Sequence, residues 1–323
     1  MEIMKLKDIL IVADTWKDLG GSLKIELGAL EPLLWKDENS NIVDLVSILS
    51  ERGFQVNLTS NGQLLYKFAD DLLLAGLNKL RISWHTMDPM LFKEISGGYG
   101  DYNLFFKGIN YALKIGLKVS FNRLLLKNYV NDIEEQISFI QDYGSRIKLY
   151  TLMWTAENSQ YYNNFFIDWR PVIKSLKNIQ KIEREHKIIG RPRLKFHLEN
   201  NAFIEVKLSE VLNRTNHPCN SCLFKDKCEE AFGDYLRVDP NMLFYFCYLR
   251  KDISFSFNKN PNVKNLEEFI LFNLGSQVIE EIPLRLTISP FCNFNCRIPG
   301  KEKGWCMEYD SKYKYPKIKN TII

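Results

Sequence analysis

The sequence predicts an α/β protein: an open, parallel, six-stranded barrel, a partial (β/α)6 fold, carrying a small α+β unit. Three observations predict it. Short β-rich runs alternate with amphipathic stretches through the first half, glycines close most of those stretches, and all seven cysteines lie between Cys219 and Cys306.

The elements follow in order. Met4 to Leu19 sets Leu6, Ile9, Leu10, Ala13 and Trp16 at helical spacing and stops at Gly20-Gly21. Strands are expected at Leu23 to Leu27, Val56 to Thr59, Leu80 to Trp84, Val119 to Leu125 and Ile147 to Leu152. Helices at Ile42 to Glu51, Leu64 to Ala75, Tyr102 to Ile115 and Ile133 to Tyr143 fall between them, ended by Gly53, Gly76, Gly116 and Gly144. Beyond Trp154 the rhythm changes. A helix from about Trp169 to His186 precedes a hairpin of Leu194 to Leu198 and Phe203 to Val206. A second pair, Tyr235 to Val238 and Leu243 to Cys247, surrounds an Asp239-Pro240-Asn241 turn. A helix around Leu266 to Leu274 and a sixth barrel strand, Leu284 to Ser289, complete the pattern. The division expected is 1–155 for barrel strands two to six, 156–275 for a cap and auxiliary unit, and 276–323 for the remaining barrel strand and its loop.

Composition narrows the class. With 323 residues, 46% of them hydrophobic and only 17 Gly and 11 Pro, the chain can bury a large core and is neither disordered nor collagenous. Its longest apolar stretches fall far below the roughly 18 residues of a membrane span, and no secretory signal opens it, so a soluble cytoplasmic protein is expected. The 43 basic and 39 acidic residues are interspersed and give no argument for a nucleic-acid surface.

An odd number of cysteines in such a chain argues for thiolates kept reduced as ligands. Spacing sorts them into Cys219-x2-Cys222-x5-Cys228 with Cys247, and Cys292-x3-Cys296-x9-Cys306. On spacing alone the first group suits zinc as well as an iron-sulfur cluster. His85, His186, His197 and His217 are scattered and read as structural.

Four segments carry a family resemblance: Leu284-Arg-Leu-Thr-Ile-Ser-Pro-Phe-Cys-Asn-Phe-Asn-Cys296, Leu27-Gly-Ala-Leu-Glu-Pro-Leu-Leu34, Thr59-Ser-Asn-Gly62, and Ile82-Ser83 with Met87-Asp-Pro89. They resemble the radical S-adenosylmethionine (SAM) superfamily, most closely the branch holding the molybdopterin-precursor GTP cyclase and the peptide-modifying enzymes with auxiliary clusters. The order is circularly permuted, since the strand that opens the family's domain stands here at Leu284 to Ser289. The resemblance implies a [4Fe-4S] cluster on three thiolates, with SAM chelating the open iron and being cleaved to a 5'-deoxyadenosyl radical that takes a substrate hydrogen. Cys292 and Cys296 match two ligands. Pro299 stands where the usual third cysteine falls, and Cys306, after the aromatic Trp305 expected near the adenine, is the substitute.

Further assignments come from the same resemblance. Glu31 would receive the SAM ammonium group, and Leu30 sits where the family's glycine lets the backbone approach SAM. Ser83 would face the SAM carboxylate and Met153 the adenine, with Asn61 and Asn122 at neighbouring strand ends. No residue is assigned to substrate hydrogen or proton transfer. Cys219, Cys222, Cys228 and Cys247 resemble a shortened SPASM ("twitch") domain and would hold a second [4Fe-4S] cluster. For substrate, the implied choices are a ribosomally made precursor peptide, with a separate leader-binding protein, or a nucleotide as in the GTP cyclase. The peptide is favoured by four auxiliary cysteines, by the aromatic run from Trp154 to Phe166, and by Glu26, an acid where the cyclase has a base; Arg285 matches a nucleotide-contacting arginine of that family. A flavodoxin or ferredoxin would supply electrons. A non-catalytic iron-sulfur scaffold is the competing class.

Overall fold

The protein is seen here as a computed structural model that describes residues 3–28, 31–154, 158–185, 191–208, 218–220, 222, 228, 230, 232–274 and 279–288. Helix α1 (Leu6–Asp18) leads into β1 (Lys24–Gly28), and a hairpin of β2 (Lys36–Asp37) and β3 (Ser40–Asn41) precedes α2 (Ile42–Glu51). Next come β4 (Gln55–Ser60), α3 (Leu65–Leu74), β5 (Lys79–Ser83), α4 (Pro89–Ile95), α5 (Tyr102–Lys114) and β6 (Val119–Leu124). They are followed by α6 (Ile133–Asp142), β7 (Arg146–Tyr150), α7 (Ser159–Phe165), α8 (Trp169–Ser175), β8 (Lys181–Glu185), β9 (Arg193–His197) and β10 (Phe203–Lys207). The last described elements are β11 (Leu236–Val238), β12 (Leu243–Tyr245), β13 (Ser254–Ser256), α9 (Val263–Leu274) and β14 (Leu284–Thr287).

Local chemistry sets several boundaries. Asn41 and Asp44 form a reciprocal capping box that starts α2. Asp88 caps α4 ahead of Pro89, and Asp101 caps α5. Gly53, Gly76, Gly116 and Gly144 follow α2, α3, α5 and α6 with positive φ, the left-handed step that lets a helix turn into the next strand.

Twelve strands form one sheet in the order β13-β12-β11-β14-β1-β4-β5-β6-β7-β10-β9-β8. The eight from β11 to β10 are mutually parallel, and antiparallel strands extend both flanks. β14 lies between β1 and β11, with Ile25 opposite Leu284 and Leu236 opposite the same residue. The parallel run is therefore longer than the six strands the sequence predicts. β10 and β11, expected in an auxiliary unit, hydrogen-bond directly to β7 and β14.

Two side-chain bridges join the ends of this run. Lys207 closing β10 meets Asp234 just before β11 at 2.8 Å, both almost wholly buried. Arg191, before β9, donates to the Glu230 carbonyl at 2.8 Å. On the helix side the strands present Ile25, Leu27, Val56, Leu58, Leu80, Ile82, Ile147, Leu149, Leu284 and Leu286, all buried. Trp84 lies in that core in edge-on contact with Phe105, Phe106, Phe121 and Phe139, its indole N–H donating to the Thr86 carbonyl.

One expected helix is corrected. Trp169 to His186 is not continuous: α8 ends at Ser175, Leu176 is extended, and Asn178 has φ of 73°. Lys181–Glu185 then pairs antiparallel with β9, tied across the strands by Lys195 to Glu183 and Glu185 and by His197 to Glu183. His186 lies outside the described residues. Among those described, no helix is long and apolar enough to cross a membrane.

Candidate active site

On a parallel barrel the residues that face inward alternate with those that face the helices. Here the inward set is charged. Glu26 (β1), Thr59 (β4), Arg81 (β5), Asn122 (β6), Arg146, Lys148 and Tyr150 (β7), Arg193 (β9), Glu205 (β10), Tyr235 (just before β11) and Arg285 (β14) line one small cavity of about 70 Å³. Five cationic side chains thus face two carboxylates.

Glu205 takes most of the pairing at one wall: Arg146 and Arg193 each reach it at 3.0 Å and Lys148 at 3.6 Å. Glu26 pairs with Arg81 and accepts from the Thr59 hydroxyl at 2.7 Å. Although burial opposes it, Arg81 and then Arg285 hold the Glu26 carboxyl below its usual range. The acid at this position is thus neutralised inside the barrel, which removes the sequence-level argument that Glu26 repels a phosphorylated substrate. Burial opposes the change at Tyr235 as well, and Arg81 nonetheless lowers its phenol. Asn122 carries a buried Oδ1 with no hydrogen-bond partner in this cavity.

At the C-terminal ends of the strands, the face where barrels bind ligands, the Glu31 carboxylate is fixed by the chain around it. It accepts from the Asn61 N–H at 2.6 Å, the Ser60 hydroxyl at 2.8 Å and the Leu33 N–H at 3.1 Å, and it is fully buried. Ser83 and Asn122 are register partners on β5 and β6. Met153 is buried just past β7, its carbonyl accepting from the Asn158 amide. The resemblance's SAM residues Glu31, Asn61, Ser83, Asn122 and Met153 thus fall on consecutive strand ends, and the acid the family uses for the ammonium group is preorganised. Leu30, Trp305, Cys292, Cys296 and Cys306 lie outside the described residues.

Cys219, Cys222 and Cys228 are half-buried and Cys247 is buried, and none forms a disulfide. Burial pushes the Cys228 thiol up to about 11 and the Cys247 thiol to about 12, so both stay protonated until a cation displaces the proton. The Cys222 N–H donates to the Cys219 carbonyl at 3.3 Å, the tight turn expected of a C-x2-C pair. Among the described residues, no three His, Cys, Asp or Glu side chains converge closely enough to hold a metal ion. The aromatic run past Trp154 folds on itself: Tyr162 packs with Leu126 and Leu152 and stacks on Phe166, while Phe165 stacks on Tyr129.

Sequence reasoning missed the charged barrel interior. The signal was the alternation Arg146-Ile-Lys148-Leu-Tyr150, polar residues at every second place in a strand whose other face is apolar.

Residues 1–140 match the family described as the radical SAM superfamily. The chain belongs to that superfamily. It is 30% identical over 255 residues to the probable GTP 3',8-cyclase of Methanocaldococcus jannaschii, covering 77% of this chain and 80% of that protein. The corresponding protein of Methanococcus vannielii is 28% identical over 258 residues, 77% of this chain and 80% of its own. That of Methanococcus aeolicus is 31% identical over 144 residues, 44% of this chain and 48% of its own, so the chain spans about half of that relative. Among solved structures, Streptococcus suis SuiB bound to the precursor peptide SuiA is 23% identical over 47% of this chain and 34% of that one, with a TM-score of 0.40.

Proposed function

We propose that this chain is a radical SAM enzyme acting on a phosphorylated nucleotide held inside the barrel. The observation that carries this reading is the interior itself, where Arg81, Arg146, Lys148, Arg193 and Arg285 line one cavity with the two carboxylates Glu26 and Glu205. Such a wall attracts a polyanion and is costly without one. Arg285, the residue that matches the family's nucleotide-contacting arginine, is part of it. The relatives' printed names, GTP 3',8-cyclase, point to the same chemical class.

In this reading Cys292, Cys296 and Cys306 hold the SAM-binding [4Fe-4S] cluster. Once reduced by a flavodoxin- or ferredoxin-like donor, that cluster would supply one electron to cleave SAM. Glu31, pinned by Asn61, Ser60 and Leu33, receives the SAM ammonium group, and Ser83, Asn122 and Met153 line the rest of the strand-end face. β14 serves as the family's first barrel strand, delivered from the far end of the chain. The second cluster that the resemblance implies on Cys219, Cys222, Cys228 and Cys247 is not part of this reading, because no three of these side chains converge on a metal ion.

A peptide substrate is the second reading, favoured by the aromatic run from Trp154 to Phe166. The test is anaerobic reconstitution followed by dithionite, SAM and either GTP or a precursor peptide encoded beside the gene. Deoxyadenosine production stimulated by GTP, and lost on replacing Cys292, Cys296 and Cys306, is the expected result. Stimulation by the peptide alone, with a changed peptide mass, would overturn the nucleotide reading. No deoxyadenosine above the triple variant would leave the scaffold class standing.

A further inference from the structure

At the wall where β7, β9 and β10 meet, strand register gathers three cations on one carboxylate. Lys148 stands opposite Glu205 on the neighbouring β7, Arg146 lies two residues earlier on that strand, and Arg193 reaches across from β9. Glu205 is only 1% exposed. Arg146 Nη1 meets its Oε2 at 3.0 Å, Arg193 Nη1 meets its Oε1 at 3.0 Å, and Lys148 Nζ lies 3.6 Å from Oε1. This pairing and the Tyr150 ring, 4.6 Å from Nζ, both favour the ammonium form of Lys148. Three positive charges therefore meet one negative charge, an excess of two. Lys207, further along β10, is committed to Asp234, and the cavity is faced from the other side by the Arg81–Glu26 pair and Arg285.

The two arginines are only partly used. Each gives Nη1 to a different oxygen of Glu205, while its Nε–H is buried without a hydrogen-bond partner. With Nη1 spent, the Nε–Nη2 edge of each guanidinium stays available, and that edge suits bidentate contact with phosphoryl oxygens. Water could accept one such N–H but brings no charge to set against the excess. The cavity of about 70 Å³ has room for roughly five water-sized spheres, which matches one tetrahedral oxyanion and is too small for a base and ribose.

We propose that Arg146 and Arg193, each anchored through Nη1 on Glu205, form a clamp for the terminal phosphoryl group of the substrate. Such a group carries close to two negative charges at neutral pH, the excess present at this wall. The proposal rests on the reading that the barrel takes a phosphorylated nucleotide, and it adds which end of that nucleotide enters the interior and which side chains grip it.

The experiment is titration calorimetry of the full chain with GTP and, separately, with inorganic pyrophosphate, which has phosphoryl groups and no nucleoside. R146K and R193K keep the charge and the pairing with Glu205 but lose the Nε–Nη2 edge. Each is expected to weaken both ligands by about tenfold or more, as loss of a charge-assisted hydrogen bond does. Wild-type affinity for both ligands in both variants would overturn the clamp and leave the nucleotide reading intact. Weakened GTP with unchanged pyrophosphate would also overturn it, since the defect would then lie away from the phosphoryl group. Wild type binding pyrophosphate but not GTP would keep the clamp as a site for free phosphates and overturn the nucleotide reading, whereas binding of neither would overturn both. If the variants do not fold, failure of wild type to bind pyrophosphate is the refuting result.

Discussion

Replacing Asp234 with Asn removes one charge from the bridge between β10 and β11, and the geometry sets the size of the effect. Lys207 Nζ lies 2.8 Å from Asp234 Oδ2, with side-chain exposures of 8% and 0%. At an effective dielectric near 20, unit charges so placed attract by about 6 kcal/mol. Much of that is spent in desolvating both groups, so the intact pair adds little net stability compared with an apolar pair of the same shape. Breaking it is different, because D234N takes the nearest carboxylate from a buried ammonium and leaves Glu230 as the next acid acting on it. The expected loss is about 3–5 kcal/mol in urea unfolding followed by tryptophan fluorescence. The double variant K207M/D234L removes both charges and is expected to recover to within about 1 kcal/mol of wild type. A loss below about 1 kcal/mol for the single variant, or equal damage from the double one, would refute the idea that this ion pair latches the ends of the parallel run.

Four further outcomes are expected. G62A should lose about 1–3 kcal/mol, since φ is +79° there and an added methyl would stand 2.9 Å from the Phe105 ring; urea unfolding measures it. W84A should cost about 3–5 kcal/mol by emptying the space among four aromatic rings, with W84F between it and wild type. E31Q places an NH2 group against donors that now meet a carboxylate oxygen, which should cost about 1–3 kcal/mol in thermal or urea unfolding and weaken SAM binding in calorimetry. His85 is half-buried and accepts from the Leu124 N–H, and desolvation first, then Arg123, pushes its pKa down to about 4 from 6.5. The unfolded chain binds the proton more readily, so this stability is present above about pH 6.5 and is lost as pH falls toward 4; the difference between wild type and H85Q in urea at pH 7 and pH 5 reads it.

Helices α1, α2, α3, α5 and α6 were legible because each carries a clear period and is followed by a glycine, and β1, β4, β5, β6 and β7 appear where alternation predicts them, whereas the short α4 was not predicted. Nor was β8. Lys181–Glu185 has one large apolar residue, Ile182, which is 61% exposed, and the strand is held by cross-strand charges that leave no hydrophobic signature. The hairpin of β2 and β3 is too short to show any period. At the site, Glu31, Asn61, Ser83, Asn122 and Met153 could be named because they sit in recognisable segments at strand ends. The sign of the interior could not. Glu26 alone reads as repelling an anion, and only the register that sets Arg81 beside it reverses the conclusion.

The place of β14 has a bearing on how the molecule comes into being. Ile25 cannot meet Leu284 until nearly all of the chain between them has left the ribosome. During synthesis the β1 side of the growing sheet is consequently an open edge, with unsatisfied N–H and C=O groups that could pair with another nascent chain. Loop closure on this scale is slow, and the sheet's interior strand is among its last to arrive. Cys292, Cys296 and Cys306 follow β14 in the sequence and are therefore among the last residues synthesised.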